Sequence, residues 1–165
     1  MPKTVYYGKH ILILFFIATW LHPGLAKSNV SFYLIGPGFS KHLQTSYTSF
    51  REFHPGIGAE FQWKMKRWFL GWHGYYMHKD SLNHESAWTG LILGVEIGKT
   101  RKFWFAPFII VGGISKKEYH EGRFSFFALP VISAGYKRFG FNLGFIPSIP
   151  NVTNPLLILQ FKYRI

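Results

Sequence analysis

The sequence of 165 residues has no cysteine and is poor in acidic residues, with seven aspartates and glutamates against nineteen lysines and arginines. Without cysteine, disulfides, thiolate metal sites and cysteine nucleophiles are excluded. The motifs CxxC and HExxH and a phosphate-binding glycine loop are also missing, so we predict no metal and no nucleotide cofactor. The formal net charge of +12 favours an anionic partner, either nucleic acid or an anionic membrane surface.

Long hydrophobic runs are missing as well, apart from one near the start of the chain. Lys3 and Lys9 precede this run, which extends over residues 11–21, and a small-x-small site follows that ends at Ala26. This order is typical of a secretory signal peptide, whereas a membrane-spanning helix needs about 20 apolar residues. We predict a cleavable signal peptide over residues 1–26, with an uncleaved anchor or a buried helix as the alternative. Export disfavours nucleic acid as the partner.

The rest of the chain, residues 27–165, alternates with a period of two and is predicted to form one β-barrel domain. In the segment 86–98 one face is mainly aliphatic and suits lipid. The other face is mostly small or polar, with Trp88 and Ile92 as exceptions, and suits a narrow lumen. The predicted strands span residues 30–43, 55–64, 67–79, 86–98, 103–114, 125–137, 138–147 and 155–165.

The connections between the predicted strands alternate in length. Tight turns are expected at residues 64–67, 98–102 and 136–138, and longer connections at residues 44–54, 80–85, 115–124 and 148–154. Short turns on one rim and long connections on the other, with aromatic residues at 20 % of the chain, are typical of bacterial outer-membrane barrels. We therefore predict an all-β fold, an eight-stranded antiparallel transmembrane β-barrel, monomeric and located in the Gram-negative outer membrane. A soluble sandwich or a lipocalin-like barrel is the alternative.

Two strand ends on the rim with the long connections carry residues suited to acyl transfer. His42 ends the first predicted strand, and Asp80 and Ser81 follow the third. An imidazole can take the proton of a hydroxyl while a carboxylate orients the ring, and this combination supports acyl transfer. The alternative is an ordinary Asp-Ser turn beside an unrelated histidine, because the chain has eight histidines.

Four prolines lie inside or at the ends of predicted strands: Pro37, Pro55, Pro130 and Pro147. Proline cannot donate a hydrogen bond to a neighbouring strand, so each one should leave a gap in the ladder. Such gaps are costly in lipid, where no water replaces the missing bond. We therefore predict lateral gates for lipid at these prolines. For Pro55 and Pro147 an ordinary strand-end proline is the alternative.

Three blocks of sequence, spread over residues 34–165, match a known family. They are Leu129-Pro130-Val131-Ile132-Ser133-Ala134-Gly135-Tyr136 with Ile146-Pro147, Trp72-His73-Gly74 with Lys79-Asp80-Ser81, and Pro37 with His42. In these blocks the chain resembles the lipid A palmitoyltransferase (PagP) family. The resemblance implies an outer-membrane acyltransferase that moves an acyl chain, typically palmitate, from a glycerophospholipid to lipid A. It implies catalytic positions at His42, Asp80 and Ser81 and lipid gates at the four prolines. Our hypothesis for the roles is His42 as general base, Asp80 orienting or stabilising it, and Ser81 assisting at the reacting centre.

The resemblance also bears on the acyl pocket, because in this family the barrel lumen holds the acyl chain. The glycine at the floor of that pocket falls on Ile92, whose parity points inward, so we expect an acyl chain shorter than palmitate. With a shifted register, Gly90 or Gly94 forms the floor instead. The family's amphipathic helix before the first strand is not predicted, since only Lys27 to Asn29 separate the cleavage site from that strand.

Six basic residues on or near the rim with the long connections could meet lipid A phosphates, with general attraction to an anionic surface as the alternative for each. They are Lys41, Arg51, Lys79, Lys116, Lys117 and Arg123. Two other functions stay open. One is a non-enzymatic barrel, structural or adhesive, in which the His, Asp and Ser are incidental. The other is a lipid A deacylase or phospholipase, for which His84-Glu85-Ser86 is the only local indication.

Overall fold

The computed structural model describes residues 29–43, 51–99, 102–116, 124–147 and 155–165. Residues 1–26, predicted as a signal peptide, lie outside the described residues, as do Lys117, Arg123 and the side chain of Lys116. In the part of the chain that the structure describes, no helix is long and apolar enough to cross a membrane.

Strands make up most of the described residues, as the period-two alternation predicts. Eight strands are long, and two contain only two residues each. In chain order they are β1 Val30–His42, β2 Phe53–His54, β3 Gly56–Met65, β4 Trp68–Met77, β5 Ser86–Val95, β6 Gly98–Lys99, β7 Phe103–Lys116, β8 Phe124–Tyr136, β9 Phe139–Ile146 and β10 Leu156–Arg164. The predicted bounds differ from these by a few residues at most.

The long strands pair antiparallel in chain order, and β10 pairs with β1, so the sheet closes on itself. β2 pairs with β1 beyond the end of β3, and β6 pairs with β7 beyond the end of β5. Each short strand therefore continues a longer one. The prediction of a closed eight-stranded antiparallel transmembrane barrel is confirmed. Closure pairs the first and last strands of the sheet with each other, so neither forms an outer edge in lipid.

The outward face of the barrel carries exposed apolar side chains on every long strand. One example from each is given by Leu34, Ile57, Leu70, Leu91, Val111, Ile132, Leu143 and Phe161. Soluble proteins do not expose apolar surface of this extent, so the soluble alternatives do not fit. Aromatic pairs lie at the rim with the short turns, where Phe103 meets Tyr136 and Phe139 meets Tyr163 at 4.9 and 5.1 Å between ring centroids. Such rings are typical of a membrane interface.

The inward face of β5 carries Ser86, Gly90 and Gly94 together with Trp88 and Ile92, as the alternation predicts, but elsewhere in the lumen large apolar side chains also point inward. A lower cluster, nearer the rim with the short turns, consists of Phe69, Ile92, Ala106, Phe108, Ile110, Leu129 and Val131. An upper cluster, nearer the rim with the longer connections, consists of Ile35, Tyr75, Met77, Trp88 and Ile158. The physical reason is the size of the barrel: eight strands enclose a space just wide enough for side chains to fill it.

Replacing Leu91 with arginine should cost about 2–4 kcal/mol of unfolding free energy, because the side chain faces lipid near the middle of β5 and is 64 % exposed. At an exposed site of a soluble protein the same substitution would change the free energy of unfolding by about 0.5 kcal/mol or less. Denaturant unfolding of the barrel in lipid vesicles measures the difference, with Leu91→Ala as the uncharged control. An arginine variant no less stable than the alanine variant would contradict a lipid-facing surface.

Candidate functional site

The upper rim, which carries the longer connections, brings the predicted catalytic residues into one sector. His42 is the last residue of β1, and Asp80-Ser81 follow β4. The segment 51–54 runs between them. It accepts a backbone hydrogen bond from Ser40 (2.8 Å) on one side and donates one to the carbonyl of Ser81 (3.0 Å) on the other. A single extended segment therefore separates the end of β1 from the turn after β4. The joint catalytic use of these residues stays a prediction.

Asp80 organises the turn between β4 and β5 and is 1 % exposed. Its Oδ1 accepts hydrogen bonds from the backbone nitrogens of Leu82 (2.9 Å) and His84 (3.0 Å). The backbone nitrogen of Asp80 in turn donates to the carbonyl of His84 (2.8 Å). This is the Asx-type turn that the sequence left open as the alternative. Asp80 thus has a structural role, and its orientation of His42 stays a prediction.

A second histidine on this rim, His54 in β2, is not among the predicted site residues. Its Nε2 lies 2.5 Å from Ser40 Oγ, and both side chains are buried, at 3 % and 7 % exposure. Its Nδ1 lies 3.3 Å from the carbonyl oxygen of Lys79. Because a carbonyl only accepts, Nδ1 carries the hydrogen and Nε2 accepts from the hydroxyl. A hydroxyl bonded to an oriented imidazole is the arrangement of a nucleophile and its base.

The local sequence gives little sign of this pair. The second strand is predicted to begin at residue 55, which leaves His54 in a connection, 14 residues from Ser40. The sequence feature that points to the pair is Pro37, because β1 forms a bulge there and its register shifts. Beyond it, Ser40 and Gly38 are buried toward the lumen.

Pro37 and Pro55 face each other across one interruption of the barrel wall. β1 pairs with β3 as far as Ile35 and pairs again, now with β2, from Gly38. The ladder between β1 and β10 shifts register at the same place. The predicted gaps at these two prolines therefore coincide with a single irregular patch in the upper half of the wall.

The hydroxyl of Tyr75 closes this interruption from the lumen side. It donates a hydrogen bond of 3.0 Å to the carbonyl of Gly36, so this carbonyl inside the interruption has a partner. A Cβ on Gly56 would lie 2.5 Å from the Tyr75 oxygen, so the ring fits only because that position is glycine. The wall is thus interrupted in its backbone pairing and sealed by one side chain.

The other two predicted gates concern β8 and β9. Among the described residues these strands pair from the short-turn rim only as far as Val131 and Gly144. Pro130 is the first residue of β8 beyond that pairing, and it marks a second interruption. Pro147 directly follows the last residue of β9, which fits the strand-end alternative. The use of any of these prolines as a lipid gate stays a prediction.

Ile92 faces the lumen, as its parity predicts, and is 0 % exposed in the lower cluster. Gly90 also faces inward, and a Cβ there would lie 2.9 Å from a methyl group of Ile110. The space at Gly94 is occupied by the ring of Phe69, 2.3 Å from where a Cβ would be. At the level predicted for the floor of an acyl pocket, the lumen is filled by neighbouring side chains.

A buried polar network joins four strands inside the lower half of the lumen. The carboxylate of Glu60 accepts hydrogen bonds from Lys162 Nζ (2.8 Å), Gln62 Nε2 (2.7 Å), Asn142 Nδ2 (3.1 Å) and His73 Nδ1 (3.3 Å). The ammonium of Lys162 also lies 4.3 Å from the ring centroid of Tyr33, an attractive cation–π contact. Within the described chain, no group of three or more histidines and acidic residues is arranged to hold a metal ion.

Three of the predicted basic contacts have described side chains at the upper rim. Lys41 and Arg51 are exposed, and Lys79 is half-buried. Lys41 Nζ pairs with Glu52 Oε1 at 2.5 Å and thereby lowers the pKa of that carboxyl. Arg51 Nε donates to the carbonyl of Phe53 (2.9 Å), which orients the guanidinium on the rim. The described part of this rim also carries the carboxylates of Glu52, Asp80 and Glu85, so basic side chains stand beside acidic ones there.

Comparison with known proteins bears on the fold. No protein-family model and no curated protein matches the chain. The crystal structure of Ail, the attachment invasion locus protein of Yersinia pestis, matches with a TM-score of 0.50 and 12 % identity, over 84 % of this chain and 99 % of that chain. A de novo designed transmembrane β-barrel matches with a TM-score of 0.48 and 8 % identity, over 84 % and 98 % of the chains. At such identity the likeness to Ail concerns the barrel fold alone.

Removing either partner of the Glu60–Lys162 pair should destabilise the barrel by about 3–5 kcal/mol, because the other charge is left buried without it. We expect Glu60→Gln and Lys162→Met each to show this cost, and the double variant to cost clearly less than the sum. Denaturant unfolding in lipid vesicles measures the coupling. Lys64→Met, in the partly exposed Lys64–Glu96 pair, is the control and should cost less. Additive single costs would contradict the pairing.

Proposed function

We propose that this protein is a structural or adhesive barrel of the Gram-negative outer membrane, monomeric, and that it contacts other molecules through its upper rim. The observation that carries the proposal is the filled lumen. Ile92 and His73 are 0 % exposed and Tyr75 is 1 % exposed. Side chains with so little accessible surface have no water-sized space beside them, so neither a solute nor an acyl chain has room there.

The upper rim supplies the binding surface in this proposal. Exposed Lys41 and Arg51 and half-buried Lys79 present positive charge next to the membrane surface. Arginine and lysine bind phosphate and other anionic groups through charge-assisted hydrogen bonds. The class of partner is therefore an anionic surface, either the phosphates of lipid A around the barrel or an acidic polymer outside it.

The second candidate is the outer-membrane acyltransferase that the family resemblance implies, with a glycerophospholipid as acyl donor and lipid A as acceptor. The interruption at Pro37 and Pro55 favours this candidate, because a break in backbone pairing is costly in lipid unless it has a use. The position of His42 in the same rim sector as Asp80-Ser81 favours it as well. In this candidate His42 is the general base, and the other two residues assist it.

An acyl chain would reach the lumen in this candidate only after side chains move. Tyr75 seals the interruption, and Ile92 with its neighbours fills the level below. The chain accommodated above Ile92 would be shorter than palmitate. This need for rearrangement is the reason that the structural or adhesive function is the leading proposal.

Mass spectrometry of lipid A from cells that express the protein separates the candidates. We expect lipid A to be unchanged relative to cells without the protein, for wild type and for His42→Ala alike. One added acyl chain that is lost in His42→Ala, with equal amounts of folded barrel, would replace the leading proposal with the acyltransferase. A lost acyl chain would instead identify a lipid A deacylase.

Binding through the upper rim should weaken when its charge is removed. Near a membrane surface each basic residue contributes about 1 kcal/mol, so Arg51→Gln with Lys79→Gln should weaken binding about 30-fold at low salt. The measurement is the affinity of the barrel, in nonionic micelles, for a sulfated polysaccharide. Lys66→Gln with Arg67→Gln, in the turn between β3 and β4 on the opposite rim, is the matched control and should leave the affinity unchanged. An equal loss in both double variants would argue against rim binding.

A further inference from the structure

Ser40 and His54 form a buried, bonded pair beside the interruption of the barrel wall. The Oγ–Nε2 distance is 2.5 Å, and the Nδ1 of the same imidazole is held 3.3 Å from the Lys79 carbonyl. This hydrogen-bond chain fixes both the ring orientation and the tautomer, with the Nε2 lone pair directed at the hydroxyl. A contact that only holds two strands together needs one hydrogen bond. A general base needs one bond that orients the ring, here to the Lys79 carbonyl, and a second to the nucleophile, here Ser40.

We propose that Ser40 and His54 are a nucleophile and its general base, and that they cleave acyl esters of glycerophospholipids which reach the interruption at Pro37 and Pro55. The inference goes beyond the structural or adhesive function, to which it adds an activity. It also differs from the second candidate, since it uses neither Ser81 nor a slot for an acyl chain in the lumen.

The position of the pair suggests the substrate class. Ser40 lies two residues before the end of β1, near the upper rim, whereas the apolar outer wall extends below it. Lipid ester groups lie at this level, in the interfacial region between the headgroups and the hydrocarbon core. His54 pairs with Gly38, the first residue of β1 above the interruption, so the pair directly borders the irregular patch. Both side chains face the lumen, so the ester has to pass the interruption to meet Ser40 Oγ, while the rest of the acyl chain extends back toward the bilayer.

The chemistry is balanced without a cofactor. Ser40 Oγ attacks the ester carbonyl carbon and forms a new C–O bond, while His54 Nε2 takes the hydroxyl proton. The bond to the glycerol oxygen breaks, and that oxygen leaves as an alcohol with the proton from His54. Water then attacks the acyl carbon of acyl-Ser40 and gives one proton to Nε2. The bond from the acyl carbon to Ser40 Oγ breaks, Oγ takes that proton back from Nε2, and the fatty acid leaves. The Lys79 carbonyl, bonded to Nδ1–H, stabilises the imidazolium that forms twice in the cycle.

The test is covalent labelling of the purified, folded full-length barrel with a fluorophosphonate, followed by peptide mass spectrometry to identify the labelled residue. We expect one adduct, on Ser40, and none in Ser40→Ala. His54→Asn keeps an N–H donor where Nδ1 lies and removes the Nε2 base, so its labelling rate should fall by about 100-fold or more. Ser125→Ala, at the upper end of β8, is the matched control and should be labelled at the wild-type rate.

Folding of each variant is checked by its heat-dependent migration in electrophoresis. If Ser40→Ala does not fold, mapping of the adduct in the wild type still decides. An adduct on Ser81, or no adduct on folded wild-type barrel, would overturn the proposal. Release of fatty acid from vesicles of phosphatidylglycerol by wild type, and its loss in His54→Asn, provides a second readout. Neither measurement depends on lipid A modification or on binding through the rim charges. A negative result would therefore overturn only the proposal for Ser40 and His54.

Discussion

The fold depends on one constraint, which is that a backbone in lipid has to bond all its donors and acceptors within the protein. The pairing of β10 with β1 meets this constraint by leaving no edge. Outward apolar and inward packed side chains then follow, because neighbouring residues of a strand point to opposite faces. The same constraint gives meaning to the irregular patch at Pro37. There the Gly36 carbonyl is bonded to the hydroxyl of Tyr75, so a side chain of β4 completes the wall.

Residue parity could be predicted from the sequence because it is a local property. Leu91 faces outward and Ile92 inward, as the alternation indicates. The contents of the lumen could not be predicted in this way, because its contacts join distant parts of the chain. Glu60 and Lys162, for example, are 102 residues apart. The inward glycines of β5 predict a narrow lumen, but which side chain fills the space beside Gly94, the ring of Phe69 on another strand, does not follow from the sequence.

The same difference between local properties and contacts of distant residues applies to the candidate site. His42, Asp80 and Ser81 could be singled out because strand ends and loop lengths assign them to one rim, and the structure keeps them in one sector. The pair of Ser40 and His54 could not, because it depends on a bulge that shifts the register of β1 and on a two-residue strand too short for any periodicity. Motifs identify residues that are close in sequence, whereas this pair is made by the pairing of β2 with β1.

Magnitudes favour chemistry at the rim over chemistry in the lumen. Opening the interruption from the side breaks the hydrogen bond of Tyr75 to Gly36, which contributes about 0.5–1.5 kcal/mol net, and displaces the packed ring of Tyr75. Making room for an acyl chain down to Ile92 would displace several packed side chains, and losing the contacts of even one large core side chain costs about 2–5 kcal/mol. A lipid whose ester enters only at the interruption displaces one packed side chain rather than several. A filled lumen is therefore compatible with a reaction at the rim, because such a reaction does not need space for an acyl chain down to Ile92.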